Sequence, residues 1–342
     1  MTDSTKPPHI LVTGGAGYIG SHVVKLLGEQ GENIVVLDNL CTGNEDAVLY
    51  GHFVKGDTGD RELVSRILRD FNVDTVMHFA AHTIVPESVE DPLKYYSNNT
   101  LNTLNLLRCC EAAGIDKVIF SSTAATYGIP SADIKLCSEE LVTAPINPYG
   151  MSKLMSEHML KDLSFSGKLK HVILRYFNVA GSDPDGKIGQ STKNATLLIK
   201  VAAEVAMGKR EKLMVFGTDY PTPDGTGIRD YIHVTDLASA HLSALDYLRK
   251  DGESTLVNCG YGKGFSVREV IDSTMRIHGE PLTVVEQPRR AGDPPALIAA
   301  VDKIHRTLDW KPKYDDLDVI VKTSLEWEKT LLARLATTPA NS

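Results

Sequence analysis

Cysteine is sparse and unpatterned in this chain: Cys41, Cys109, Cys110, Cys137 and Cys259 are the only five in 342 residues, and none forms a CxxC pair. An odd, scattered set excludes a disulfide framework and a zinc knuckle, so no metal site is expected and a reducing compartment fits. No uninterrupted apolar run approaches the ~18 residues that span a bilayer, and Met1 to Pro8 lacks the basic-then-apolar order of a secretion signal. The expectation is a cytoplasmic protein with no membrane partner. Positive charge is not in excess either: 36 Lys and Arg stand against 44 acidic residues, a net charge of -8. That balance excludes a nucleic-acid backbone as partner while leaving room for a local basic pocket for a small diphosphate. Low-complexity tracts and internal repeats are also missing. What remains, 42% hydrophobic and 23% charged, is ordinary globular composition.

Short β-branched runs alternate with amphipathic stretches long enough for helices. His9 to Thr13, Ile34 to Leu37, Thr75 to Phe79, Val118 to Ser121 and Val172 to Arg175 read as buried strands. Repeated βαβ units imply an α/β fold, a Rossmann-type doubly wound parallel sheet. After about residue 178 the chain turns to loops dense in Gly, Pro, Asp and Thr, such as Gly181 to Gly189 and Tyr220 to Gly227. The expected organisation is a dinucleotide-binding domain over 8–178, a smaller irregular α/β lobe over 179–332, with a segment near 228–248 packing back on the first domain, and an unstructured tail over 333–342.

The first chemical signal is Thr13-Gly14-Gly15-Ala16-Gly17-Tyr18-Ile19-Gly20, between a strand and a helix with the apolar face Ile19, Val23, Val24, Leu26 and Leu27. Such glycines permit a tight turn and let backbone amides approach a pyrophosphate at the helix N-terminus. The next strand ends in Asp38, 18 residues after Gly20, where an acceptor for the adenosine ribose belongs. Its carboxylate would repel a 2′-phosphate, which favours NAD over NADP. Asp57 has two readings, an acceptor for the adenine amino group or a helix N-cap.

The second signal is Tyr149-Gly150-Met151-Ser152-Lys153, whose spacing puts both ends on one helical face. Composition alone gives roughly one chance match to Tyr-x-x-x-Lys, so placement decides. Pro145 and Pro148 delay the helix to Tyr149, and the strand Val118 to Ser121 runs into the hydroxyl cluster Ser121-Ser122-Thr123. In a parallel sheet, ligands gather at the carboxyl ends of strands. A tyrosine of ordinary pKa ~10 needs a cationic neighbour to serve as a base near neutrality, and Lys153 offers one.

These motifs resemble the extended short-chain dehydrogenase/reductase family. The stretches Asp38-Asn39, His78-Phe79-Ala80-Ala81, Phe120 to Thr123, Arg175-Tyr176-Phe177-Asn178, Asp224 to Val234 and Arg289-Arg290-Ala291-Gly292-Asp293 narrow the resemblance to its UDP-glucose 4-epimerase branch, over about residues 9–327. The resemblance implies a homodimer that holds NAD and inverts carbon 4 of a UDP-hexose through a 4-keto sugar. It assigns proton transfer to Tyr149, Lys153 and Thr123. It assigns the cofactor to Gly14, Gly17, Tyr18, Ile19, Gly20, Asp38, Asn39, Asp57, Phe79, Ala80, Asn98, Ser121, Tyr149, Lys153 and Tyr176. It assigns the UDP-sugar to Thr123, Tyr149, Asn178, Phe216, Arg229, Arg290, Asp293 and Leu297, with the arginines at the diphosphate, Asp293 at the uridine ribose and Phe216 against the uracil.

On residue type alone, Phe216 reads equally as core, Leu297 has the alternative of a core contact of the second lobe, and Asp230, His233 and Asp236 read equally as helix caps or braces. Leu197 and Thr83 depart from the family pattern. A 4,6-dehydratase would carry Asp-Glu after the active-site threonine, where this chain has Ala124-Ala125. Uronate epimerases or decarboxylases, and a non-catalytic NAD-binding sensor, keep enough of the same residues to stand as alternatives.

Overall fold

The computed structural model describes residues 7–131, 134–192, 195–290 and 292–337. The first half lays down β1 (His9–Thr13), α1 (Tyr18–Glu29), β2 (Ile34–Asp38), β3 (His52–Lys55), α2 (Arg61–Asp70), β4 (Val73–His78), α3 (Val85–Glu90), α4 (Pro92–Tyr95), a π-helical turn Tyr96–Leu101, α5 (Asn102–Ala113), β5 (Lys117–Thr123), α6 (Pro148–Phe165) and β6 (Lys170–Tyr176). Helix α6 starts one residue before Tyr149: Pro148 takes the first helical position, where its missing N–H costs nothing, and the Asn147 side chain accepts from Gly150 N at 2.9 Å.

The second half is built of shorter pieces: β7 (Asn178–Ala180), α7 (Leu198–Ala206), β8 (Leu213–Phe216), β9 (Ile228–Arg229), β10 (Tyr231–His233), α8 (Val234–Arg249), β11 (Thr255–Cys259), β12 (Phe265–Ser266), α9 (Val267–His278), β13 (Val284–Gln287), β14 (Ala296–Leu297), α10 (Asp302–Leu308) and α11 (Leu317–Thr337). Three small sheets serve this half: β7 with β10, β8 with β13, and β9 between β12 and β14.

Seven strands form the main sheet in the order β11-β6-β5-β4-β1-β2-β3, every pairing parallel. Strand order reverses between β1 and β4, which opens a crevice at their carboxyl ends, beyond Thr13 and His78. Both faces are covered. Val23, Val24 and Leu27 of α1 and Leu237, Leu245 and Leu248 of α8 share one core with Ile10, Val36 and Met77. On the other face Leu11, Val35 and Val76 meet Val64, Ile67 and Leu68 of α2 and Leu106 of α5.

Two segments of the second half rejoin this sheet: α8 packs beside α1, and β11 adds the edge strand next to β6. The last helix runs to Thr337, past residue 333 where the sequence suggested an unstructured tail, and its first half anchors it in the main core through Ile320, Val321 and Leu325. Residues 338–342, the remainder of that expected tail, and Met1–Lys6 lie outside the described residues.

Candidate active site

The turn between β1 and α1 is shaped by two glycines. Gly14 sits at φ +70°, and a Cβ there would lie 2.6 Å from Ala80 N; a Cβ on Gly20 would lie 2.2 Å from the Gly14 carbonyl. Any side chain at either position would force the turn apart. The N-cap of α1, Gly17, brings no side-chain acceptor, so the first-turn N–H groups remain for an anionic ligand. Asp38, buried at the end of β2, accepts from Ala16 N at 3.0 Å and Leu40 N at 2.8 Å, which ties β2 to the turn. Its carboxylate keeps lone pairs for further donors.

Asn39 donates to Asp57 at 2.8 Å, and Asp57 also accepts from Gly59 N and Asn102. The N-cap reading of Asp57 is therefore replaced: Asp60 caps α2, accepting from Leu63 N at 3.0 Å. Phe79 N donates to the Thr13 carbonyl at 3.0 Å, and its ring lies 4.7 Å from His241. Ala80 closes over Gly14, and Asn98 donates to Asn99 from the π-helical turn. Ile19 packs on the main core. Tyr18 is already engaged: its hydroxyl donates to the Gly181 carbonyl at 2.6 Å.

At the carboxyl end of β5 the hydroxyl cluster meets α6. Lys153 is buried; its Nζ donates to the Ser121 carbonyl at 2.9 Å and stands 4.9 Å over the Phe120 ring. Burial pushes its pKa down to about 7, with the Glu157 carboxylate pulling the other way. Burial pushes the Tyr149 phenol up to about 12, opposed by a hydrogen bond with Thr123. The Ser121 hydroxyl is bonded to that of Tyr176 at 2.5 Å, and Thr123 accepts from Ala125 N at 3.1 Å. Desolvation thus outweighs the Thr123 hydrogen bond at Tyr149 in the protein alone, so the phenolate needs a positive charge beside it before it forms near neutrality.

The second half contributes a basic, aromatic ledge. Arg229 and Asp293 face each other at 3.8 Å, and the Arg290 guanidinium lies 3.8 Å over the Phe216 ring. Phe216 is half-buried and stacked under a charge, so its core reading is not what the structure shows. Leu297 pairs with Arg229 across β14 and β9, and its side chain packs against the cluster of Ala124, Tyr127 and Phe177. That packing sets Leu297 beside Ala124 and Phe177, the chain neighbours of Thr123 and Asn178. Asn178 opens β7, its N–H donating to the Asp230 carbonyl at 3.0 Å.

The caps and braces sort out individually. His233 caps α8, accepting from Thr235 N at 3.1 Å. Asp230 caps no helix; it accepts from Tyr261 N, Gly262 N and Ala299 N. Asp236 accepts from Tyr261 Oη and from the N–H groups of Lys313 and Tyr314. Thr83 is exposed, and Leu197 is the half-buried residue preceding α7. Ala291 lies outside the described residues.

Sequence reasoning missed one cluster at the site. Glu157, four residues after Lys153, is completely buried, takes the Ser122 hydroxyl at 2.6 Å and is gripped by Arg175, which itself lies 4.8 Å over the Tyr127 ring.

A family model described as NAD dependent epimerase/dehydratase family matches residues 10–260. The chain belongs to that family. Within it the chain falls among the UDP-glucose 4-epimerases. A UDP-glucose 4-epimerase of Azospirillum brasilense is 55% identical over 97% of this chain and 95% of its own length. The crystal structure of UDP-glucose 4-epimerase from Brucella ovis in complex with NAD superposes with a TM-score of 0.90 at 47% identity, covering 93% of this chain and 98% of that one. The UDP-Glc/GlcNAc 4-epimerase of Campylobacter jejuni is 51% identical with a TM-score of 0.83, covering 95% of this chain and all of the other.

Proposed function

We propose that this protein inverts carbon 4 of UDP-hexoses, interconverting UDP-glucose and UDP-galactose and also accepting the N-acetyl forms. The observation that carries the reading is the convergence of Thr123, Tyr149 and Lys153 at the end of β5, beside the glycine turn at the strand reversal. The residues suit NAD: Gly14 and Gly20 leave no room for a side chain, the α1 N-terminus carries no side-chain cap, and Asp38 rather than a cation waits at the end of β2. When bound, NAD supplies the acceptor and donor of the hydride and a positive ring charge.

The Tyr149 oxygen takes the proton of the sugar 4-hydroxyl as the carbon 4 hydrogen departs, and returns it to the keto oxygen after the sugar has turned. Thr123 positions that proton through its bond to Tyr149, and Lys153 steadies the phenolate and the nicotinamide ribose. Asn178, Arg229 and Arg290 hold the diphosphate and Asp293 the uridine ribose, so the nucleotide stays while the hexose rotates. Leu297, smaller than an aromatic residue, leaves space for a 2-acetamido group. The relative from Campylobacter jejuni, named for both UDP-Glc and GlcNAc, supports this breadth.

The molecule works as a homodimer. Val89, Leu93, Leu101 and Met155 are exposed on the adjoining α3, α4, π-helical turn and α6, and a second copy would cover them. Among the described residues all five cysteines are free thiols and no helix is long and apolar enough to cross a membrane, in keeping with work in the cytoplasm.

Product analysis of the purified protein given UDP-galactose, UDP-N-acetylgalactosamine and UDP-glucuronate separately tests the reading. Epimers of the two hexosamine and hexose nucleotides, with NAD released on denaturation, are expected. A need for stoichiometric added NADPH, or turnover of the uronate alone, would overturn it.

A further inference from the structure

Neighbouring residues of β5 and β6 are bonded to side chains one turn apart on α6. Lys153 Nζ donates to the Ser121 carbonyl at 2.9 Å, and the next residue, Ser122, donates its hydroxyl to Glu157 Oε1 at 2.6 Å. From β6, Arg175 closes a two-pronged grip on the same carboxylate, Nε to Oε1 at 2.8 Å and Nη2 to Oε2 at 2.5 Å. Glu157 is 0% and Arg175 2% exposed. Burying two charges is costly, and an apolar pair of similar size commonly serves stability as well. Packing alone does not call for them, because α6 already meets the strands through Leu160, Phe120 and Ile173.

We infer that Glu157, held by Arg175 and Ser122, is a positioning residue for the Tyr149–Lys153 pair, fixing the rotation of α6 over the end of β5 and setting a buried carboxylate one helical turn from Lys153. The inference rests on the epimerase reading above. Charges from the other packed elements do not substitute. His78 of β4, which senses Lys153, is held neutral by burial with a pKa of about 3. Tyr176 of β6 and Tyr149 of α6 stay protonated because burial raises both. His171 of β6, lowered to about 4 by burial, and Lys161 of α6 act on Glu157. Arg175 is a cation, and its grip is on Glu157. Glu157 is therefore the anion that opposes the downward pull of burial on Lys153.

Losing that charge lowers the proton affinity of Lys153, so the limb of the pH profile where activity falls with rising pH moves to lower pH. Glu157→Gln alone strands a buried guanidinium. The decisive variant is Glu157→Gln combined with Arg175→Gln, which removes both charges and leaves two amides able to bond each other. In the NAD-loaded dimer we expect the alkaline limb to move down by about one pH unit and kcat at pH 8 to fall about tenfold, with KM for UDP-galactose unchanged. A folded, NAD-loaded double variant with the wild-type profile and kcat would reduce Glu157 to a structural role and overturn the inference, as would a loss confined to KM. If the double variant does not fold, Glu157→Asp decides: it keeps the charge but withdraws it by a methylene, so a smaller shift in the same direction is expected, and an unmoved profile overturns the inference. Wild-type turnover, measured alongside, separates the two readings: its absence would sink the epimerase assignment and this inference with it, whereas an unmoved variant profile in an active wild-type background sinks only the inference.

Discussion

The Tyr18 hydroxyl donates a 2.6 Å hydrogen bond to the carbonyl of Gly181, 163 residues further along the chain. Tyr18 belongs to the first turn of α1, at the glycine-rich crevice, and Gly181 directly follows the strand that begins with Asn178. Burial holds the tyrosine pKa well above its ordinary value, so it remains a donor at every working pH. The same loop is fastened by Gly181 N to Ser324 at 3.1 Å and by Lys25 to Asp183 at 3.1 Å.

Tyr18→Phe removes this link while keeping the ring. It should cost about 1 to 3 kcal/mol, because a buried carbonyl loses its partner. If the bond sets the position of Asn178, KM for UDP-galactose should rise more than NAD retention falls. Thermal unfolding, KM and NAD content of the purified variant measure the three quantities; equal loss of cofactor and substrate would contradict the linkage.

Tyr149→Phe keeps the ring packed against Tyr95, 6.4 Å away, and deletes the oxygen to which proton transfer is proposed to fall. Turnover should fall at least ~10²-fold with KM nearly constant. Steady-state kinetics on folded, NAD-loaded protein check this, and a change in KM alone would remove Tyr149 from proton transfer.

Lys153 is held at about 7 in the protein alone, against an ordinary lysine value of ~10.4. The unfolded chain keeps this proton more tightly, so burying the ammonium costs stability fully below pH 7, and the cost fades as pH rises towards ~10. Lys153→Met abolishes the pH-dependent part. The melting temperature of the NAD-free variant, relative to NAD-free wild type, should therefore be most favourable near pH 6 and least near pH 10. A difference that stays flat across this range would show that Lys153 is not buried as an ammonium.

Leu297→Tyr should suppress UDP-N-acetylgalactosamine selectively, shifting the ratio of the two kcat/KM values by roughly 10 to 200-fold, the usual reach of steric discrimination by one small group. A folding defect lowers both constants together, so the ratio is the measure. An unchanged ratio would leave Leu297 as a lobe contact only.

The tight turn between β1 and α1 was legible because its residues have few other uses. Glycines at Gly14 and Gly20, where a Cβ would strike backbone, and an aspartate closing an apolar strand are local signals. The five strands found by their apolar runs were legible for the same reason: both faces are covered, so nearly every position is apolar. Glu157 was not legible. A glutamate four residues after a lysine on a helix normally reads as an exposed pair, and only Arg175, arriving from another strand, draws it inside. Only the cap reading of Asp57 failed, because the cap of α2, Asp60, stands three positions later. Strand β11 was hidden because its partner β6 ends 79 residues earlier, across loops that mark a change of lobe.

That late strand shapes how the protein is made. When Tyr176 has left the ribosome, β6 still presents an unpaired edge, and the face that α8 will cover is bare. Translation at ~5 to 20 residues per second leaves the edge open for roughly 4 to 16 seconds before Thr255–Cys259 follows, with α8 made shortly ahead of it. The nascent chain is thus most exposed to wrong pairing after its first six strands are complete in sequence but before they are closed in space, and chaperone contact is most useful in that interval.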